Sequence, residues 1–129
     1  MKKDCYEIWA KNKYYVLSKS HIIYLEIREY LKNDDINFQD LKEKIRKVEL
    51  IKDSKKDLEN AILHIWGYFK KDASETEKNT LFNLLENYKL DKASQIDIIK
   101  YINKLLEKYP NEYLKNSRLL LGEDNEIMA

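Results

Sequence analysis

Residues 58–78 read LENAILHIWGYFKKDASETEK. At about 3.6 residues per turn, Leu58, Ala61, Ile62, Ile65 and Phe69 fall on one helical face, and Asn60, His64, Gly67 and Lys71 on the opposite one. The spacing predicts an amphipathic central helix running to about Lys71. Ser74 followed three residues later by Glu77 is the signature of a capping box, so a new helix is expected to start there. Gly67 costs a helix about 1 kcal/mol relative to Ala. A glycine on the polar face, one turn from His64 and one from Lys71, is therefore expected to face a neighbouring backbone or a pocket.

The rest of the chain repeats this pattern. Ser20, Asn37, Ser54 and Ser94 each precede an apolar helical spacing: Ile23, Tyr24, Ile27 and Leu31; Phe38, Leu41, Ile45 and Val48; the central helix; and Ile98, Ile102, Leu105 and Tyr109 up to Pro110. Leu81, Leu84, Leu85 and Tyr88 follow the Ser74 cap. At the start, Asp4 and Glu7 resemble another capping box, ahead of a face carrying Cys5, Ile8, Trp9, Tyr15 and Val16. Asn12 falls in the middle of that apolar face, where an amide needs partners. It is either a cross-link between helices or part of a polar pocket. Asn111 to Leu121 allows one more short helix.

The expected fold is all-α, a compact bundle of six to seven helices, with a single domain over residues 1–121 and an acidic, flexible tail over 122–129. Two glycines and one proline leave little turn chemistry for a β-protein. The 129 residues suffice for one core.

Net charge is +1. The tail holds Glu123, Asp124 and Glu126, which leaves 24 basic against 20 acidic residues in the body, a mild excess that does not by itself announce a nucleic-acid binder. Cys5, the one cysteine, excludes an internal disulfide and is expected to be buried and unreactive on its apolar face. Charges interrupt every apolar run, so neither a secretory signal nor a membrane span is read, and a cytoplasmic location is expected.

Recognisable catalytic chemistry is sparse. His21 and His64 stand alone, outside any metal-binding spacing, and no phosphate-cradling glycine loop or nucleophile elbow occurs. No catalytic residue, metal or cofactor is assigned. What remains is a basic-aromatic set: Lys11, Lys13, Tyr14 and Tyr15 in the first helix, and Trp66, Tyr68, Lys70 and Lys71 at the end of the central one. Lysines neutralise phosphates and aromatic rings stack on exposed bases, as an RNA-binding surface requires. Read from the residues alone, the set is better explained by aromatic rings filling the core with the lysines as a solvated rim.

The stretches WAKNKYYVLSKS and HIWGYFKKDASETEK, then the Tyr88 region and PNEYL, resemble the YbgA-like family of domains of unknown function, from about Trp9 to Leu120. The specific part is His64, Gly67, Tyr68, Phe69, Lys70, Lys71, Glu77 and Lys78, supported by Lys13 and Tyr14. Family members occur alone or behind a cysteine-rich domain similar to iron–sulfur thiouracil desulfidases, where the helical part is thought to help engage tRNA. This chain resembles the stand-alone form, so desulfidase chemistry does not carry over. It departs from the family pattern at Asn12, where a histidine is usual, and at Leu63 and Ser117, where glutamine is usual.

The resemblance and the basic-aromatic set together imply an RNA-associated accessory module, binding tRNA or other structured RNA, with an iron–sulfur desulfidase-like protein as an expected partner. Lys13, Lys70, Lys71 and Lys78 are the expected phosphate contacts, and Tyr14 and Trp66 the expected stacking residues. Asn12, Asn60, His64 and Gly67 form the candidate polar pocket. The alternatives are a protein-interaction or self-associating domain and, more remotely, an enzyme using His64.

Overall fold

The computed structural model describes residues 2–122. Eight helices and no strand are found among them: α1 (Lys2–Lys19), α2 (His21–Tyr30), α3 (Phe38–Val48), α4 (Lys55–Trp66), α5 (Glu75–Lys89), α6 (Gln95–Lys108), and the one-turn helices α7 (Glu112–Lys115) and α8 (Arg118–Leu121). The all-α reading holds, with one helix more than the six to seven expected. Asn111 caps α7 through Leu114 N at 2.9 Å, but the chain leaves helical hydrogen bonding at Asn116 and restarts after Ser117. The acidic tail from residue 123 onward lies outside the described residues.

The capping residues set most boundaries. Side-chain oxygens of Ser20, Asn37 and Ser54 accept from Ile23 N, Asp40 N and Asp57 N, each at 3.1 Å. Ser74 and Ser94 form reciprocal capping boxes with Glu77 and Asp97. Each such cap contributes about 1 kcal/mol relative to alanine. Asp4 is not a cap: α1 begins at Lys2, and Asp4 stands inside its first turn, where a carboxylate favours the helix dipole.

The central helix stops earlier than its apolar spacing predicts. Gly67 is the C-cap of α4, and the chain continues in tight turns, with Tyr68 N donating to Ile65 O at 3.0 Å and Phe69 N to Trp66 O at 2.9 Å. These turns keep the helical sense well enough to bury Phe69 completely, which is why the apolar pattern runs on past the helix end. Lys70 and Lys71 therefore lie in the turn segment and not in the last turn of α4.

α1 is the hub of the bundle. α1 packs against α2, α3, α4 and α8, while α5 and α6 form a pair joined to the rest through α4 and α8. Leu17, Leu41, Leu58, Ile62, Ile65, Phe69, Leu81, Ile98 and Ile102 are fully buried between these layers, and Cys5 is buried with them. No helix among the described residues is long and apolar enough to cross a membrane.

Candidate functional site

Two clefts open on the bundle, and each contains residues that the sequence singles out. The first, of about 420 Å³, lies where the turn segment after α4 meets the start of α5. Trp66 and Phe82 form its floor, in edge-to-face contact with ring centroids 6.1 Å apart. Lys70 stands on the turn-segment side and Lys78 on the first turns of α5, its Nζ 5.7 Å from the centre of the Phe82 ring. Ser74 and Glu75 complete the rim. Among the described residues, Lys70, Lys71 and Lys78 have no carboxylate partner, whereas Lys19, Lys55, Lys89 and Lys108 all do.

The α5 wall of this groove is fixed by Glu77. Its Oε1 accepts from Ser74 N at 2.8 Å and from the Tyr109 hydroxyl at 2.7 Å, and its Oε2 from Lys108 Nζ at 3.1 Å. Tyr101 donates to the Glu77 carbonyl at 3.2 Å. The hydrogen bond from the Ser74 backbone and that from Tyr109, followed by the Lys108 ammonium, pull the Glu77 carboxyl down to about 2. One carboxylate thus ties the N-terminus of α5 to the far end of α6.

The second cleft, of about 440 Å³, runs between α1 and α3 and is closed by α8. Asn12 sits on its α1 wall at 6% exposure, its Nδ2 donating to Ile8 O at 2.9 Å and its Oδ1 accepting from Arg118 Nη1 at 3.2 Å. Arg118 also donates from Nη2 to Glu49 at 2.7 Å and lies 3.9 Å from the centre of the Tyr15 ring. Asn12 therefore cross-links α1 to α8 at the wall of this cleft.

The expected site residues do not form one surface. Trp66, Lys70 and Lys78 come together in the α4–α5 groove, and Lys71 is exposed in the same turn segment. Lys13 is half-buried on α1, its Nζ 5.5 Å from the Tyr14 ring, and burial followed by the nearby Arg28 charge lowers its pKa. Tyr14 is buried, and its hydroxyl lies 2.9 Å from that of Tyr68. It also meets Tyr113 edge to face, and burial together with the Tyr68 hydrogen bond pushes its ionisation well upward. A base cannot stack on it. Trp66 is only 6% exposed, so little of its ring is open at the groove floor.

The polar pocket does not assemble as expected. Asn12 belongs to the α1–α3 cleft, while Asn60, His64 and Gly67 line neither cleft. His64 and Gly67 are exposed, and a Cβ on Gly67 would meet only the His64 carbonyl of its own turn, at 3.1 Å. Among the described residues no neighbouring backbone approaches it, so this glycine ends a helix and makes no close packing.

Sequence reasoning passed over Phe82, which the four-residue step from Lys78 could have flagged, and Arg118 with Glu49, which no local pattern connects to Asn12. No curated protein and no solved structure matches the chain. Residues 13–121, nearly all of the bundle and both cleft-closing segments, match the family described as Protein of unknown function (DUF1722), and the chain belongs to that family.

Proposed function

We propose that the protein is an RNA-associated accessory module that binds tRNA or another structured RNA. The YbgA-like resemblance supplies the context, in which a helical domain of this kind serves desulfidase-like chemistry on thio-modified tRNA. The observation that carries the reading is the α4–α5 groove, where the ammonium groups of Lys70 and Lys78, with no carboxylate partner among the described residues, rim an aromatic floor of Trp66 and Phe82. Lys71, exposed beside them, extends the positive edge. Ammonium groups without carboxylate partners are available to phosphates, and each phosphate contact releases counterions.

The test is the salt dependence of RNA binding by the Lys70→Gln/Lys71→Gln/Lys78→Gln variant. Each lost phosphate contact lowers the slope of log affinity against log salt by about 0.7 to 0.9, so the triple variant loses about 2 units of slope and weakens similarly on all RNA sequences. Its melting temperature stays within about 2 °C of the parent, because surface charges of this kind contribute little to folding. Unchanged affinity and slope would refute the reading.

A second reading, docking of a protein partner or second copy, draws on Ile22 and Leu25, 75% and 46% exposed one turn apart on α2. Self-association that is insensitive to salt and is lost in Ile22→Ser would favour it.

A further inference from the structure

We infer that the α4–α5 groove receives one unpaired nucleotide of an RNA strand, its base against Trp66 and Phe82 and its flanking phosphates against Lys70 and Lys78. This rests on the RNA reading and adds what the groove selects. The aromatic surface is recessed: Trp66 is 6% exposed and Phe82 half-buried. In an A-form duplex the base faces are covered by their neighbours and the major groove is too narrow for side chains, so a recessed floor is reached only by a base splayed out of the stack.

Size and charge placement point the same way. About 420 Å³ lies near the small end of the range for small-molecule sites, about 300 to 1,000 Å³, which suits one base with its sugar and not a run of bases. The two ammonium groups come from different elements, Lys70 from the turn segment and Lys78 from α5. Two cations on separate walls match the phosphates on either side of an extruded nucleotide, where a free mononucleotide presents only one. The Ser74 side chain is already engaged by Glu77 N at 3.1 Å, so the lysines and the aromatic floor carry the recognition.

The experiment compares a short RNA hairpin bearing a single 2-aminopurine bulge with the same hairpin fully paired. The bulged hairpin binds at least fivefold tighter, the low end of what one base–aromatic stack supplies, and the 2-aminopurine emission changes on binding. Phe82→Leu, which keeps an apolar side chain at a half-buried position, removes the preference and leaves the salt slope unchanged. Equal affinity for the two hairpins overturns the inference while leaving the RNA reading intact, and so does a preference that survives in Phe82→Leu. Displacement of the hairpin by micromolar adenosine monophosphate overturns the requirement for a strand. Absence of binding to either hairpin overturns both the inference and the reading beneath it.

Discussion

Asn12→Ala is expected to lower the melting temperature by about 4 to 9 °C. The amide holds two partners at 6% exposure, Ile8 O at 2.9 Å and the Arg118 guanidinium at 3.2 Å. A hydrogen bond to a charged group contributes about 1.5 to 3 kcal/mol, and alanine returns about 0.5 kcal/mol of helix propensity, so the net loss is about 1 to 2.5 kcal/mol. At about 2.1 cal/mol/K per residue, the entropy of unfolding of 129 residues is about 0.27 kcal/mol/K, which converts that loss to the stated shift. Calorimetry on Asn12→Ala, Arg118→Met and the double variant gives a cycle in which the two sites couple by about 1 kcal/mol. A shift under 2 °C, or a coupling near zero, would mean that the α1–α8 cross-link contributes nothing and that this account of the buried amide is wrong.

Gly67→Ala is expected to raise the melting temperature by about 1 to 4 °C, because φ −53° and ψ −26° suit alanine and the 3.1 Å approach to the His64 carbonyl relaxes within a single turn; a lower value in thermal unfolding would show that the carbonyl cannot yield. Glu77 is held at about 2 in the folded state against 4.5 as its ordinary value, so its contribution is present above pH 4.5 and is lost as pH falls from there towards 2. Glu77→Gln should flatten the acid limb of stability against pH in that window, and an unaltered limb in acid titrations would contradict the tie to Tyr109 and Lys108. Glu75→Gln removes a carboxylate from the rim of the α4–α5 groove and should tighten RNA binding about two- to threefold, while costing about 0.3 to 1 kcal/mol of α5 stability from the helix dipole; weaker binding in a titration at fixed salt would place that carboxylate among the groups that recognise the ligand.

The parts of the fold legible in the sequence are those written within one turn. A capping oxygen and the amide it accepts from are three residues apart, so Ser20, Asn37, Ser54, Ser74, Ser94 and Asn111 announce their helices locally. The end of α4 was not legible, because Phe69 keeps the apolar spacing through turns that differ from an α-helix only in their hydrogen bonds. The groove was half legible: Trp66, Lys70 and Lys78 lie within thirteen positions, but only packing decides that Trp66 is buried beside Phe82. Tyr14 was misread for the same reason, since a tyrosine beside a lysine looks alike whether its ring meets solvent or Tyr113. Arg118 and Asn12 stand 106 residues apart and share no pattern, so their junction could come only from the folded chain.

That junction bears on the order in which the molecule can be built. α5 and α6 are neighbours in sequence and can pair as soon as both exist, whereas α1 receives α8 only after the chain has reached Arg118. During synthesis from the N-terminus, the flank of α1 that carries Asn12 therefore waits uncovered while more than a hundred residues are added. Pulse-labelled hydrogen exchange on the refolding protein should find amides of α5 and α6 protected before those of α8, and simultaneous protection would show that the bundle closes as one cooperative unit.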